Sequence, residues 1–191
     1  MDVRPYKVIF DTDPGVDDAM ALYFALAHPD IEVIGITTTF GNVAVEQAAS
    51  NALYLTRIAG VTIPVTQGIA APLIIPAPIP PAHIHGADGL GNLPERLPVQ
   101  GTLDPRSSAQ FIVDMARAQP GAITLVAVGP LGNLSLALAL EPQLPHLLRE
   151  VILMGGTVQE PGNVSAVAEA NIAQAQAAAD LAQGAYLSFA D

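Results

Sequence analysis

The 191-residue chain carries 7 Lys and Arg against 18 Asp and Glu, a formal charge of −11, and its basic residues form no cluster. That balance argues against nucleic acid or an anionic membrane as partner, because neither would meet a positive patch. The absence of cysteine excludes a disulfide framework and a thiolate metal site, and a hydrophobic share of 51% with few aromatics leaves Ala, Val, Ile and Leu to build the core of one domain over residues 1–191.

The opening "MDVRPYKVIF" lacks the apolar centre of a signal peptide. The apolar stretch near Leu73 to Ile79 is broken by prolines, and no other run reaches the roughly 18 residues of a membrane span. A soluble cytoplasmic protein is expected.

In chain order, "YKVIF" reads as a buried strand and "DDAMALYFALAH" as a helix with Asp17 and Asp18 in its first turn. "EVIGITTT" is a second strand and "VEQAASNALYLTRIA" a second helix, its apolar positions at helical spacing. "VTIPVTQG" is a third strand. A long Pro- and Gly-rich connection follows, from Ala70 to Asp104, of the kind that forms a lid or binding loop. A helix near "SSAQFIVDMARA" leads to a fourth strand, "AITLVAVG", an apolar helix, "LSLALAL", and a fifth strand, "EVILMGG". The last twenty residues are Ala- and Gln-rich, consistent with one helix and a stub. Strands this apolar, alternating with helices, predict an α/β fold: an open, mainly parallel sheet with helices on both faces.

Four carboxylates, Asp11, Asp13, Asp17 and Asp18, crowd into eight positions where the first strand meets the first helix. Ligand sites in open parallel sheets lie at that end of the strands. Asp17 or Asp18 could serve only to cap the helix and match its dipole. Asp11 and Asp13 have no such explanation: alternation places them on one side of the chain, where like charges repel. A divalent cation with hard oxygen ligands resolves the conflict, and an EF-hand does not fit the spacing.

"DTDPGVDDAMAL" after a first strand resembles the signature of the inosine–uridine-preferring nucleoside hydrolases, calcium-dependent N-ribohydrolases with a Rossmann-like core. "TTTFGN" (Thr37 to Asn42), "HIHGADGLG" (His83 to Gly91), "VGPLGNL" (Val128 to Leu134) and "MGGTVQEPGNVSAVAEANI" (Met154 to Ile172) follow in the family's order. The resemblance therefore runs from about Val8 to Ile172. It implies Ca²⁺ held by Asp13, Asp18 and the backbone carbonyl of Gly132, with Asp13 as the catalytic base. Asp17 and Asn42 would hold ribose hydroxyls, Asn163, Glu169 and Asn171 would grip the rest of the sugar, and Asp11 would orient the loop. The long connection becomes a flap over ribose and base, with His85 favoured over His83 as a substrate contact. A ribonucleoside substrate and a homo-oligomer, dimer or tetramer, complete the implied picture.

Read without the family, Asn42 and Asn163 could each be turn residues, and both histidines could be solvated. The two-residue spacing of Glu169 and Asn171 in an apolar stretch favours a shared functional face. The family's C-terminal third supplies a further calcium-ligating aspartate and a histidine near the leaving base, neither assignable here. Residues 173–191 form a divergent tail, and the departure begins just before it: Ala170 stands for a usual phenylalanine, and "IAQAQAAADLA" follows where "DPEAA" is expected. Impaired turnover is the expectation that follows, with a catalytically inactive nucleoside- or ribose-binding paralogue or subunit as the alternative. A phosphohydrolase of the haloacid dehalogenase type also has "DxD" after its first strand. Pro14 stands where that pattern needs Thr or Val, and the chain's one lysine, Lys7, lies upstream.

Overall fold

The computed structural model describes residues 5–157, 161–164 and 169–174. Five strands, β1 (Tyr6–Thr12), β2 (Ile31–Thr38), β3 (Val65–Gln67), β4 (Ile123–Ala127) and β5 (Glu150–Leu153), form one sheet in the order β3-β2-β1-β4-β5. Every pairing is parallel. The helices are α1 (Val16–Ala27), α2 (Val45–Ala59), α3 (Ala82–His85), α4 (Ser108–Ala118), α5 (Gly132–Leu140), α6 (Leu144–Leu147) and α7 (Ala170–Gln174).

Alternation along β1 explains the two-sided core. Val8 and Phe10 pack with Leu22 of α1 and Ala52 and Leu55 of α2, while Ile9 points the other way, onto Phe111, Ile112, Leu134 and Leu144 from α4, α5 and α6. Each fully buried side chain of this size contributes about 1.5–3 kcal/mol by leaving water. The same alternation continues past the apolar residues. Asp11 stays on the α5 side, where Asn133 meets it, and Thr12 turns to the α1 side, where Asp18 does.

Several boundaries differ from the sequence reading, each for a local reason. β1 runs on through Asp11 and Thr12 because these residues pair with Thr37, Thr38 and Ala127. β3 shrinks to three residues, since Pro64 has no N–H to donate and serves only as acceptor, for Ile36 N at 2.9 Å. β5 stops at Leu153, before the glycines at 155 and 156. The connection from 70 to 104 is irregular except for the single turn of α3, which follows Pro81. The predicted C-terminal helix is described only as far as Gln174, and the rest of that prediction lies outside the described residues. Among the described residues no helix is long and apolar enough to cross a membrane.

Candidate active site

From β1 the chain proceeds to β2 and β3 on one side, then returns to β4 and β5 on the other. β1 and β4 are neighbours whose following loops diverge, so a crevice opens at their carboxyl ends. The aspartate turn, 13–15, enters it from β1 and the loop 128–131 from β4. The two loops touch: a Cβ added to Gly129 would lie 2.7 Å from the Oδ1 of Asp13. Gly41, with φ +151, abuts the Asp13 carboxylate even more closely, so a side chain there would be both strained and in collision.

Three of the four aspartates are buried and individually held. Asp11 accepts from Thr37 Oγ1 at 2.5 Å and Asn133 Nδ2 at 2.8 Å. Asp18 accepts from Thr12 Oγ1 at 2.8 Å and, on its other oxygen, from Gly15 N and Asn42 Nδ2, both at 2.9 Å. The helix-capping reading of Asp18 is thus met in part, since it takes up the N–H of the N-cap residue, Gly15. Asn42 also donates its backbone N–H to Asp13 Oδ2 at 2.7 Å, so one residue grips both carboxylates. Asp17 differs from the other three: its side chain is 65% exposed and points toward His85, with Nδ1 3.7 Å away.

Burial and crowding hold these acids toward the neutral form. Desolvation pushes Asp11 up to about 6 against its hydrogen bonds from Thr37 and Asn133. Asp13 is raised well above the ordinary carboxylate range, by desolvation first and then by the charge of Asp18, with Asp11 the smallest contributor. Asp18 is raised too, chiefly by desolvation. The charge that crowds Asp13 is therefore mainly Asp18 across the turn, rather than its neighbour in alternation, Asp11.

A cavity of about 570 Å³ opens over the turn. Asp13, Asp17, Asn42 and His85 line it from one side, and Asn163, Glu169 and Asn171 from the other. Ile75, Ile79, Ile84, Val128 and Met154 give it an apolar wall. His83, exposed on the same turn of helix as His85, is not among the lining residues. Glu169 and Asn171 do not alternate on an extended segment. They meet at the start of α7, where the Glu169 carboxylate accepts from Asn171 N at 3.0 Å. Asn163 Oδ1 accepts from Ala170 N at 2.9 Å, and Asn171 Nδ2 donates to the carbonyls of Val128 (2.8 Å) and Met154 (2.9 Å). Asn171 thus ties α7 to the residues just after β4 and β5, Asn163 and Glu169 take up N–H groups at the start of the helix, and all three line the cavity.

The family model for inosine-uridine preferring nucleoside hydrolase matches residues 8–185. The chain belongs to the nucleoside hydrolase family. A probable uridine nucleosidase 2 from Arabidopsis thaliana is 44% identical over 177 residues, covering 92% of this chain and 55% of the relative. An inosine-uridine preferring nucleoside hydrolase from Leishmania major is 40% identical, over 88% of this chain and 54% of its own length. Among solved structures, a purine-preferring ribonucleoside hydrolase from Gardnerella vaginalis superposes with a TM-score of 0.88 at 36% identity, covering 92% of this chain and 56% of that one. The chain spans about half the length of the curated relatives it matches.

The donor set of this nucleoside hydrolase chain suits a hard divalent cation. It offers carboxylate, carbonyl and hydroxyl oxygens, and the chain has no cysteine thiolate. Asp11 Oδ2 and Thr39 Oγ1 are buried without a hydrogen-bond partner among the described residues. The causes that set the acidity of Asp11, Asp13 and Asp18 include no basic side chain. Gly132, the first residue of α5, follows the loop that presses on Asp13, and adjoins Asn133, which is bonded to Asp11. Among the described residues no group of three or more His, Asp or Glu side chains is placed to hold a metal ion by itself.

Three supporting residues escape sequence reasoning. Asn133 is fully buried, donating to Asp11 and to the Thr38 carbonyl (2.9 Å) and accepting from Ile69 N (3.1 Å). Thr12 and Thr37 supply the hydroxyls that hold Asp18 and Asp11. The available signal is an Asn opening an otherwise apolar helix, in "PLGNLSLALAL", and a Thr beside each aspartate or at the end of the adjacent strand.

Proposed function

We propose that this chain binds a ribonucleoside and hydrolyses its N-glycosidic bond to base and ribose, with Ca²⁺ as the cation at Asp13, Asp18 and the Gly132 carbonyl. One observation supports the reading above all: residues from separate segments, Asp13 and Asp17, Asn42, His85, and Asn163 with Glu169 and Asn171, face one cavity of about 570 Å³. The family is a metal-dependent class, and the relatives above are named for uridine, for inosine and uridine, and for purine ribonucleosides.

The chemistry supplied by a bound cation is Lewis-acid activation of water near neutral pH. The chain's own residues do the rest. Breaking the bond from sugar carbon to base nitrogen passes through an oxocarbenium-like ribosyl cation. A carboxylate oxygen of Asp13 takes the proton of the attacking water. Asp17 and Asn42 orient ribose hydroxyls, and the negative charge of Asp17 and Glu169 stabilises positive charge as it develops on the sugar. Ile75, Ile79 and Ile84 give the cavity an apolar surface for the base to lie against. Cytoplasmic residence and a homo-oligomer belong to the same reading, the latter supported by Met20 and Phe24, 70% and 66% exposed on α1.

The test is incubation of the purified chain with Ca²⁺ and inosine or uridine, following base by chromatography and ribose by reducing-sugar assay. Saturable release that Asp13→Asn abolishes is the expected result. The second reading is a nucleoside or ribose binder without turnover. Saturable binding by calorimetry with no base released would decide for it.

A further inference from the structure

The segment from Ala82 to Asn92 is bonded largely to itself. Gly86 N donates to the Ala82 carbonyl at 3.0 Å and Gly91 N to that of His85 at 2.8 Å, while Asn92 Oδ1 accepts from Ala87 N at 2.8 Å. The Asp88 carboxylate accepts from the backbone N–H groups of Leu90 (2.8 Å) and Asn92 (2.9 Å). A unit closed in this way moves as one piece, so His85 is placed by whatever fixes the unit to the rest of the fold. Leu90, buried against the α1–α2 side of the core, is one anchor, but apolar contact has no direction. The directional anchor is Asn51.

Asn51 lies fully buried on α2. An asparagine amide has two donor hydrogens and two acceptor lone pairs, and here all four are engaged. Nδ2 donates to the carbonyls of Pro14 (3.2 Å) and Asp88 (2.9 Å), and Oδ1 accepts from Gln47 Nε2 (2.9 Å) and Arg96 Nη1 (3.0 Å). Pro14 adjoins Asp13, so a single amide joins the aspartate turn to the flap. Arg96 closes the ring, its Nη2 2.6 Å from Asp88 Oδ2 and its guanidinium 5.4 Å from the centre of the Tyr54 ring. The flap backbone comes so close that a Cβ on Gly89, at φ +80, would lie 2.9 Å from both Asn51 Nδ2 and the Pro14 carbonyl. Only glycine permits that approach in that conformation.

We propose that Asn51 is a positioning residue which, with Arg96 and Asp88, latches the flap onto the aspartate turn in the register that sets His85 beside Asp17 at the cavity. The latch itself stands on geometry alone; its effect on turnover rests on the nucleoside-hydrolase reading. With the latch broken, substrate must order the flap as it binds, which raises KM more than it lowers kcat. Asn51→Asp keeps the shape but turns an oxygen toward two carbonyl oxygens. Arg96→Gln removes the ion pair with Asp88 and the hydrogen bond to Asn51 Oδ1, and leaves the Asn51 donations to Pro14 and Asp88 in place. Arg117→Gln, which breaks a remote pair with Glu141, is the control.

The experiment is hydrogen–deuterium exchange by mass spectrometry on the full chain, with steady-state kinetics on inosine alongside. Asn51→Asp is expected to speed exchange about tenfold in peptides covering 12–18 and 82–92, Arg96→Gln in 82–92, and Arg117→Gln in neither. KM is expected to rise about tenfold for Asn51→Asp and Arg96→Gln, with kcat within about threefold of the parent. Parent-like exchange over 82–92 in both latch variants overturns the proposal, as does a loss confined to kcat. If Asn51→Asp does not fold, Arg96→Gln alone decides. A parent chain that releases no base ends the hydrolase reading, and the exchange result still judges the latch.

Discussion

Asn133 donates its Nδ2 to Asp11 Oδ1 at 2.8 Å, joining residues 122 positions apart in sequence. The same amide donates to the Thr38 carbonyl and accepts from Ile69 N, so it holds the ends of β1 and β2, the loop after β3 and the start of α5 together. Replacing Asn133 by Ala removes the acceptor of the Ile69 N–H, a donor to the Thr38 carbonyl and one of the two donors to Asp11 Oδ1, leaving the buried carboxylate with Thr37 Oγ1 alone. The expected cost is about 2–4 kcal/mol, a fall in Tm of about 5–12 °C for a chain of this size. Thermal melting followed by circular dichroism checks it, and a Tm within a degree of the parent would contradict the structural role.

Asp13 carries opposite consequences in the metal-free and metal-bound protein. In chelator at pH 7, Asp13→Asn removes a charge that burial and Asp18 both penalise, so the variant is expected to melt at or above the parent. With calcium at about 100-fold over its Kd, the parent gains about 2.7 kcal/mol and the variant little. Base release by the variant should fall by about 10²–10⁴ if Asp13 is the base. Differential scanning fluorimetry with and without calcium, beside the base-release assay, reads both. An equal calcium response in the two proteins would remove Asp13 from the cation site.

What the sequence discloses divides along physical lines. α2 is predicted to its end residues because Val45–Ala59 repeats apolar positions at helical spacing and Gly60, at φ +70, stops it in the left-handed conformation. The aspartate turn is legible because like charges at a strand end are costly unless something binds there. α3 is hidden because four residues carry no period and prolines surround them. Asn133 and Asn51 are hidden for another reason: each is a single amide on an ordinary helix, and its importance comes from carbonyls brought near by the fold. Glu169 and Asn171 are legible as a pair on one face, while the helix start that joins them, where the Glu169 carboxylate takes up the Asn171 N–H, carries no signal in two-residue spacing.

Asp104 and Arg106 provide a pH test remote from the cavity. The Arg106 side chain, bonded to both carboxylate oxygens of Asp104 at 2.9 and 2.7 Å, holds its pKa down to about 2. A folded value below the unfolded value of about 3.9 means that the ionised form is favoured by folding. The pair therefore stabilises the fold fully above about pH 5, and that contribution is lost as pH falls through about 4 and on through about 2. Asp104→Asn should lie below the parent in urea midpoint at pH 6 and approach it near pH 2.5. Because Arg106 is partly exposed, 1 M salt should shrink the gap at pH 6. A gap unchanged with pH would mean the carboxylate charge contributes nothing.

Gly35 and Phe111 form a coupled pair in the core away from the cavity. The β1–β2 register slips between Val8 and Ile9, which brings Gly35 opposite Ile9, and the fully buried Phe111 ring occupies the space a Cβ on Gly35 would need. The guanidinium of Arg106 covers the ring from outside at 4.6 Å, so the ring cannot retreat freely. Gly35→Ala should cost about 1–3 kcal/mol by overpacking, and Phe111→Ala about 3–5 kcal/mol by leaving a cavity. The two changes share one volume, so the double variant should be less destabilised than the sum of the singles by about 1 kcal/mol or more. Urea denaturation of all four proteins closes the cycle. Strict additivity would show that the ring and the glycine do not compete for space, and that the slip in register serves some other purpose.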